Sequence, residues 1–451
     1  MIKSWEIFSG PTVTKKEILL CREERLVRQR EWIGEGFSSL IYFTLNIPGD
    51  IKQFPLAHKV FQEGLSVLHN CFCNKLQKEK VFCLKTGDEA ILLLNEEAEI
   101  IKRKTVVIEE EHPLGRLFDI DVVDHNGSHV SRMDLGLNPR KCMLCNEKAK
   151  ECARSRRHSI SELQDVIAAS LHSFFVHQAS IQYARCVEEA MNNEVMTTPK
   201  PGLVDANNNG SHADMTVETF LSSSKALFPW FKRFFEDGAR YDPQDVANMF
   251  YQLRLDGIEA EKTMYNVTNG INTHKGMIFS FAIICGALGC HFAQKLDIPE
   301  RSSVLQTAAE LGKRSIGVHK TKFGGQSKTF GARKEAATGF LTVTSVGYPN
   351  LLNYMNSGFN LNDASILSLL SLIAVTEDTN VLRRSTEETC IFLKNRAKNI
   401  VRIATKDNLH ELTRRLDEEC MKLNISPGGS ADLLAISLFL WILKEKEMIR
   451  E

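Results

Sequence analysis

The chain has 451 residues. A domain with a single hydrophobic core is usually shorter than this, so the length predicts two or more domains. Its content of 43% hydrophobic and 25% charged residues is ordinary for a folded protein, and 56 basic residues balance 56 acidic ones. This balance argues against a protein that binds nucleic acid through an overall basic surface. Any phosphate-binding patch must therefore be local.

The N-terminal sequence and the cysteines bear on location. The start, MIKSWEIFSGPTVTKKE, lacks the apolar segment of a signal peptide. No apolar run is expected to reach the roughly eighteen residues of a membrane helix. The twelve cysteines are scattered along the chain, which favours reduced thiols over a disulfide framework. We expect a cytoplasmic protein that does not cross a membrane.

Residues 1–172 have the pattern of an α+β domain. LIYFTLNIPGDIK predicts a strand that ends in a Pro-Gly turn, AHKVFQEGLSVLHNCFCNKLQ predicts an amphipathic helix, and KVFCLKTGDEAILLLN predicts a strand, a turn and a second strand or helix. KTVVIEEEHPLGRLFDIDVVDHNGSHVSR predicts further strands, the last two in a hairpin that turns at Asn126-Gly127.

Residues 173–451 have the pattern of an all-α domain. Apolar residues recur every three or four positions in long runs such as HKGMIFSFAIICGALGCHFAQKL and SADLLAISLFLWILKEKE. No Pro- or Gly-rich linker separates the two patterns. We expect the boundary inside or beside the helix that follows Ser159 and Ser161, which are both candidate N-caps.

Two aspartates stand one residue apart in the run FDIDVV. In a strand, Asp119 and Asp121 share one face, while Phe118, Ile120 and Val122 share the other. Two carboxylates this close repel each other unless a cation lies beside them, and Mg²⁺ commonly takes one or two carboxylates together with substrate phosphates. The alternative is a pair of surface aspartates that face solvent on a hairpin.

Three arginines, Arg116, Arg132 and Arg140, accompany this pair. Arginine pairs phosphate oxygens bidentately, so arginines beside metal-binding carboxylates make a site for a polyphosphate. The first half therefore suggests nucleotidyl or phosphoryl transfer.

The segment CMLCNEKAKECARSRRH has the spacing C-x2-C-x6-C-x5-H. Cys142, Cys145, Cys152 and His158 are the kind of ligands that a structural, tetrahedral Zn²⁺ takes. The alternative is that the cysteines are small buried apolar residues and that His158 lies on the surface beside a basic run.

Polar residues cluster at loops and helix ends in the second half. Rigid Pro- and Gly-containing loops display functional side chains, and the start of a helix favours an anion. Each motif alone also fits a turn followed by a cap, but four such ends can form one pocket. The GGQSKTFG stretch lacks the spacing of a P-loop. The candidates are Lys200, Asp205 and Asp214 in TPKPGLVDANNNGSHADM, His274 and Lys275 in GINTHKGMIFS, Asp378 and Arg384 in TEDTNVLRR, and Ser430, a predicted N-cap, in SPGGSADLL.

These motifs resemble two known families. CREERLVRQREWI, FTLNIPGDIK, HPLGRLFDIDV, SRMDLGLNPRKCMLC and CARSRRHS resemble the apo-citrate lyase phosphoribosyl-dephospho-CoA transferase family, CitX. TPKPGLVDANNNGSHADM, GINTHKGMIFS, GARKEAATGF, DTNVLRRS and NISPGGSADLL resemble the triphosphoribosyl-dephospho-CoA synthase family, CitG. Together they follow the order of a fused, bifunctional family.

The resemblance implies two consecutive reactions. The CitG-like half would join ATP and 3'-dephospho-CoA, displacing adenine to give 2'-(5''-triphosphoribosyl)-3'-dephospho-CoA. The CitX-like half, a nucleotidyltransferase-like domain, would attach this group to a serine of the apo acyl carrier (gamma) subunit of citrate lyase and release pyrophosphate. The alternatives are the equivalent enzyme pair for malonate decarboxylase, or one half that is a non-catalytic carrier-docking module.

Residue roles follow from the resemblance as hypotheses. Asp119 and Asp121 would hold Mg²⁺, with arginines on the phosphates. The second-half candidates for phosphate contacts are Lys200, His274, Lys275, Arg384 and Ser430. The candidates for metal binding, oxocarbenium stabilisation or activation of the attacking 2'-hydroxyl, left unranked, are Asp205, Asp214, Glu335 and Asp378.

The second half departs from the family pattern at two loops. Lys334 stands where the family has a glycine, and Ser385 and Thr386 stand where it has two glycines. We expect these changes to alter loop geometry in the synthase half.

Overall fold

The computed structural model describes residues 7–33, 38–323 and 331–451. The chain divides into two compact units, the first ending at Phe175 and the second running from Val176 to Glu451. The division falls inside one long helix, Ile160–Met196. The expectation of more than one domain is confirmed, and the boundary between residues 172 and 173 stays a prediction.

The first unit combines helices with one four-stranded sheet. In chain order the elements are α1 Lys15–Ile33, β1 Ser39–Leu45, α2 Pro55–Phe72, β2 Leu76–Phe82, β3 Glu89–Leu94, α3 Ala98–Glu111, a 3-10 turn Gly115–Leu117, β4 Phe118–Asp124, α4 Ala149–Ser155 and the start of α5, Ile160–Met196. The strand order in the sheet is β2-β3-β1-β4, and every neighbouring pair is antiparallel.

One face of the sheet packs against α2 and α3. Phe43 of β1 stacks on Phe61 of α2, with ring centroids 5.0 Å apart, and Phe118 meets Phe43 edge-on. A Cβ at Gly64 would come within 2.4 Å of the Phe43 ring, so only glycine lets the helix lie this close. Burial of a large aromatic side chain of this kind stabilises the folded state by about 2–3 kcal/mol. Because the helices cover this face, functional side chains on the strands must lie on the opposite face.

The opposite face of the sheet carries an apolar cluster and a pair of aspartates. At one end, Trp32 of α1 packs on Tyr42, Ile91 and Val123. Towards the other end, β4 presents Asp119 and Asp121. This polar end is where the first candidate site lies.

Two secondary-structure predictions for residues 98–132 were wrong. KTVVIEEE belongs to helix α3, not to a strand. Its β-branched residues suggest a strand locally, but Ile101, Thr105 and Glu109 are buried at helical spacing, so tertiary packing decides. The turn at Gly127 is confirmed, with φ of 83°. The predicted second arm is only an isolated bridge between Val123 and His129.

The second unit, in its described part, is built from helices. Their packing buries long apolar faces, as the periodicity predicts. After α5 they are α6 Val217–Gly238, α7 Val246–Val267, α8 Lys275–Lys295, α9 Arg301–Phe323, α10 Ala332–Ala337, a π-helical turn Val343–Gly347, α11 Tyr348–Asn356, α12 Leu361–Val375, α13 Thr379–Arg384, α14 Glu387–Ile403, α15 Leu409–Lys422 and α16 Gly428–Glu445.

Helix α8 lies at the centre of this unit and contacts α6, α7, α9, α10 and α16. A Cβ at Gly289 would come within 1.9 Å of the Phe235 carbonyl oxygen, so the α6 and α8 backbones nearly touch. The expectation that no apolar run reaches membrane-spanning length was wrong, because α8 is long and apolar enough. Since 78% of its most apolar window is buried inside the protein, it has the character of a core helix and is weak evidence for a membrane span.

Candidate active sites

Strand β4 carries the aspartate pair as the alternation predicts. Phe118, Ile120 and Val122 are buried, whereas Asp119 and Asp121 are partly exposed on the other face. In the antiparallel register with β1, Asp119 lies opposite Thr44 and Asp121 lies opposite Tyr42. The two carboxylates therefore share the polar end of one sheet face.

The surroundings of Asp121 disfavour the ionised form of its carboxyl group. Burial raises its pKa, and the neighbouring Asp119 raises it further. Lys102, His129 and Arg25 act in the opposite direction. Lys102 is itself buried and donates to the Ile120 carbonyl oxygen at 2.8 Å. A cation bound between the two carboxylates would favour the ionised form of Asp121.

Glu89 at the start of β3 is a buried carboxylate in the first unit. Arg25 and Arg28 of α1 pair with it at 2.5 and 3.1 Å, and the Tyr42 hydroxyl donates to it. Sequence reasoning missed this group. An available signal was two arginines one helical turn apart, but nothing local connects them to a glutamate more than sixty positions away.

The structure brings the three predicted arginines to the start of β4. Arg140 donates to the carbonyl oxygens of Gly115, Arg116 and Phe118 at 3.0, 2.8 and 2.8 Å. Its guanidinium lies 4.0 Å from the Asp119 carboxylate. Arg140 therefore ties the turn before β4 to the aspartate pair.

Arg132 and Arg116 differ in their partners. Arg132 pairs with Glu109 and Glu110 of α3. Burial lowers the pKa of Arg116, and Arg140 and Arg132 lower it further. Within the described residues, Arg116 has no ion pair. It is thus the arginine of the three with most capacity left for an anion.

The structure also brings together the predicted Cys/His cluster. Cys142, Cys145, Cys152 and His158 place their ligand atoms within 4.8 Å of one another. The Cys145 and Cys152 sulfurs are 3.5 Å apart, and His158 Nε2 is 3.4 Å from the Cys145 sulfur. The spacing in the sequence was a sufficient signal for this arrangement.

In the second unit, Asp378 and Ser430 meet. Asp378 Oδ1 accepts the Asn380 N–H at 2.9 Å, and Oδ2 accepts the Ser430 N–H at 2.9 Å and the Ser430 hydroxyl at 3.3 Å. Burial raises the pKa of Asp378, although these donors oppose the shift. Ser430 was wrongly predicted as an N-cap, because α16 begins at Gly428 and Ser430 lies in its first turn.

Asp432, two residues further along α16, is a carboxyl that the sequence reasoning did not select. A Cβ at Gly276, in the first turn of α8, would come within 1.9 Å of Asp432 Oδ2. Burial raises the pKa of Asp432 well above its usual range, and Glu194 and Asp378 raise it further. No described residue donates a hydrogen bond to it. A carboxyl group in these surroundings is suited to carrying a proton.

Lys200 and His274 are both buried near this group. Lys200 Nζ pairs with Glu194 at 2.6 Å. His274 Nδ1 lies 2.8 Å from the Ser223 hydroxyl, and burial together with Lys200 lowers the pKa of His274 to about 3. Lys200 therefore has a carboxylate partner already, and His274 is neutral at physiological pH.

The other two predicted cations lie near the surface. Lys275, the first residue of α8, pairs with Glu261 at 2.7 Å. Arg384 donates to the Ser211 carbonyl oxygen at 3.2 Å. Their contacts leave the side chains largely in solvent, so both could still meet a phosphate.

The remaining predicted carboxylates, Asp205, Glu335 and Asp214, differ in their contacts. Asp205 is buried and accepts the N–H groups of Lys200, Asn207 and Asn208. Glu335 accepts the Thr342 hydroxyl at 2.6 Å. Asp214 is exposed. Asp205 therefore shapes the loop that carries Lys200.

The departures from the family pattern have local roles. Lys334 pairs with Glu377 at 3.3 Å. Ser385 ends α13 and donates to the Val381 carbonyl oxygen at 2.7 Å, and Thr386 is the N-cap of α14. Helix-ending and capping contacts thus occupy the loop where the family has two glycines.

A cavity of about 580 Å³ adjoins the loop after Pro199. Its volume is in the range of small-molecule sites, roughly 300–1,000 Å³. The sequence reasoning did not select the two basic residues in its lining. The lining residues are Thr198, Pro199, Asn207, Asn208, His410, Arg414, Asp417, Glu418 and Met421.

Comparison with known proteins identifies both units. The family model CitX, "Apo-citrate lyase phosphoribosyl-dephospho-CoA transferase", matches residues 13–174. The model CitG, "ATP:dephospho-CoA triphosphoribosyl transferase", matches residues 180–451. Protein CitXG of Haemophilus influenzae is 33% identical over 95% of this chain and 96% of its own length. The chain belongs to the CitXG family.

Two further relatives agree with this assignment to CitXG. Protein CitXG of Leuconostoc mesenteroides is 32% identical over 96% of this chain and 97% of its own length. The 2-(5''-triphosphoribosyl)-3'-dephosphocoenzyme-A synthase of Pectobacterium atrosepticum is 38% identical over 57% of this chain and 86% of its own length. The resemblance seen in the sequence motifs is confirmed, and the chain is an enzyme of the transferase class.

Proposed function

We infer that the chain synthesises the citrate lyase prosthetic group and attaches it to the apo acyl carrier (gamma) subunit. The second unit joins ATP to 3'-dephospho-CoA with release of adenine, and the first unit transfers the product with release of pyrophosphate. The occurrence of the CitX and CitG models in one chain carries this inference. Because both full-length relatives are CitXG proteins, the malonate decarboxylase alternative is not favoured.

In the first unit, Asp119 and Asp121 are suited to hold Mg²⁺. Both are carboxylates on one strand face, and positive charge added beside Asp121 would oppose the rise in its pKa that burial and Asp119 cause. The cation would neutralise charge that develops on the departing pyrophosphate. Arg116, without an ion pair in the described chain, is the side chain best placed to pair a phosphate oxygen.

Transfer then requires little further chemistry from the protein. The serine oxygen of the carrier bonds to the phosphorus next to the ribose, the bond from that phosphorus to pyrophosphate breaks, and the serine proton passes to solvent. Catalysis here is chiefly positioning and charge stabilisation. Arg140 supplies positioning, because it holds the turn before β4 next to Asp119.

In the second unit, Asp432 is proposed to protonate the departing adenine. The 2'-hydroxyl oxygen of dephospho-CoA bonds to the ribose carbon of ATP while the bond from that carbon to adenine breaks; adenine takes the Asp432 proton, and the proton released by the 2'-hydroxyl restores the acid through solvent. Asp378 is held as an acceptor by three donors and Glu194 is paired with Lys200, whereas Asp432 has no described donor. Two carboxylates with separated environments commonly divide acid and charge-stabilising roles.

One experiment tests both reactions. The protein is incubated with ATP, Mg²⁺ and dephospho-CoA, and adenine is followed by chromatography. Apo carrier subunit is then added and weighed by mass spectrometry, with the expected gain equal to one phosphoribosyl-dephospho-CoA group. Absence of adenine, or an unchanged carrier mass, would contradict the corresponding half of the proposal.

The same assay tests the docking-module alternative. If the first unit only docks the carrier, preformed triphosphoribosyl-dephospho-CoA will not be attached by the full chain.

A cytoplasmic location is also proposed, because all twelve cysteines are free and the substrates are intracellular nucleotides.

A further inference from the structure

We propose that Cys142, Cys145, Cys152 and His158 bind one Zn²⁺ and that this ion holds Arg140 in place beside the transferase carboxylates. The second part rests on the proposed function of the first unit, and the first part does not.

The donor set has the chemistry and spacing of a closed zinc site. Three sulfurs and one imidazole nitrogen lie within 4.8 Å of one another. Tetrahedral Zn²⁺ with Zn–S near 2.3 Å and Zn–N near 2.0 Å places sulfurs about 3.8 Å apart and sulfur and nitrogen about 3.5 Å apart. The observed separations of 3.5 Å for Cys145 to Cys152 and 3.4 Å for His158 to Cys145 agree with this geometry.

The backbone around the cluster is already arranged for thiolates. The Cys142 N–H donates to the Glu147 carbonyl oxygen at 2.8 Å, which closes the loop that carries the first two cysteines. The N–H groups of Leu144 and Cys145 point at the Cys142 sulfur. N–H groups directed at a ligand sulfur favour the deprotonated, metal-binding form.

Cys152, the third cysteine of the cluster, is buried, and its sulfur lies 3.5 Å from that of Cys145. Three cysteines this close cannot all be ionised without a nearby positive charge. A divalent ion removes that conflict, because a coordinated thiol loses its proton.

The cluster is joined through backbone contacts to Arg140. The first residue of α4, Ala149, donates its N–H to the Arg140 carbonyl oxygen at 2.8 Å, and Lys141 bridges Lys148 in antiparallel fashion. The Arg140 side chain in turn binds three carbonyl oxygens between Gly115 and Phe118. Arg140 is therefore a positioning residue whose backbone depends on the closed cluster.

Metal content is the direct test. Full-length protein purified without chelators is expected to contain about one zinc per chain by elemental analysis. Cys145→Ser should lose the zinc, and Cys73→Ser, which changes an exposed cysteine outside the cluster, should keep it. Co²⁺-substituted protein should show a thiolate charge-transfer band. A metal-free wild-type protein with full transferase activity, or zinc that persists in Cys145→Ser, would overturn the proposal.

The coupling to Arg140 is tested on the same protein. A zinc-selective chelator in excess Mg²⁺ should slow attachment of preformed triphosphoribosyl-dephospho-CoA at least about tenfold. Zn²⁺ should restore the rate and added Mg²⁺ should not. Arg140→Lys should keep the zinc yet lose the rate. Unchanged attachment after zinc removal would overturn the coupling.

Adenine release in the second unit reports that the chain is still folded. If zinc-loaded wild-type protein releases adenine but never modifies the carrier, the proposed transferase function fails while the metal site stands. An oxidised Cys145–Cys152 pair in place of zinc, detected by mass spectrometry under non-reducing conditions, would contradict the metal site itself.

Discussion

The two candidate sites use carboxylates in opposite ways. In the first unit, Asp119 and Asp121 lie on a partly exposed strand face with arginines gathered at its end. In the second unit, Asp378 and Glu194 are buried, and the nearby Lys200 is already paired. Under the proposed roles, the atom that reacts at each site accounts for this contrast. A phosphorus centre that sheds pyrophosphate needs positive charge, whereas a ribose carbon that sheds adenine needs an acid and negative charge.

The largest expected effect is that of Asp121→Asn. Removing one of the two carboxylates proposed to bind the cation should lower attachment of the prosthetic group by on the order of a thousandfold, while adenine release stays unchanged. Attachment is measured by carrier mass with preformed intermediate. Asp124→Asn is the matched control, since Asn at this position can still accept the turn N–H groups that Asp124 binds. Equal losses in both variants would refute a metal-binding role for Asp121.

Asp432→Asn should act on the other reaction alone. Loss of a general acid lowers rates by about a hundredfold or more, so adenine release should fall while attachment of supplied intermediate persists. The matched control is Asp407→Asn, at an exposed turn. Normal adenine release by Asp432→Asn would transfer the acid role to another group.

Gly276→Ala tests the same acid without deleting it. The new Cβ would meet Asp432 Oδ2 at 1.9 Å, so the carboxyl must move, and adenine release should fall by about tenfold through misplacement. Gly257→Ala is the control, because its Cβ would meet nothing within 4 Å. That change should be neutral or slightly stabilising, by up to about 1 kcal/mol. If both variants release adenine normally, the contact with Gly276 has no catalytic importance.

The smallest effect on activity is expected at Asp237. Burial, with Asp256 beside it, raises the pKa of Asp237 to about 7. The pKa of Asp237 in the folded state is thus higher than its value near 4 in the unfolded chain, so protonation of this carboxyl stabilises the folded state. This stabilisation is complete at pH values below about 4 and is lost as the pH rises through 7. When the pH is raised from 5 to 8, the free energy of unfolding of the wild-type protein should fall by on the order of 1 kcal/mol more than that of the Asp237→Asn variant.

This last comparison separates burial from catalysis. Both Asp237 and Asp432 have raised pKa values, but Asp237 lies next to Arg240 and Asp256 at the end of α6. Denaturant unfolding at several pH values measures the first effect, and the adenine assay should change less than about twofold. A large loss of adenine release would mean that Asp237 belongs to the synthase site.

Local patterns predicted what local geometry decides. The alternation around Asp119 and Asp121 correctly predicted that both lie on one strand face, because side chains in a strand alternate between its two faces. The cysteine spacing correctly predicted that four ligand atoms lie close together, because the loop that carries them is short. The failures were non-local. Residues 98–111 form a helix because their buried side chains repeat at helical spacing against the sheet, which their β-branched composition does not reveal.

Distant pairings were also out of reach. Glu89 meets Arg25 and Arg28 across more than sixty positions, and Asp432 meets Gly276 across more than one hundred and fifty. No periodicity in one sequence links such positions. The catalytic roles of the candidate residues remain predictions, since position alone does not assign chemistry.

Helix α8 carries a consequence for how the chain is made. It is apolar along most of its length, and its neighbours α6 and α7 leave the ribosome before it, whereas α9, α10 and α16 follow. During synthesis, the contacts of α8 with α6 and α7 can form early, whereas its contact with α16 must wait until the chain beyond Gly428 has been made. A truncation that removes α16 should therefore yield an aggregating, chaperone-bound product.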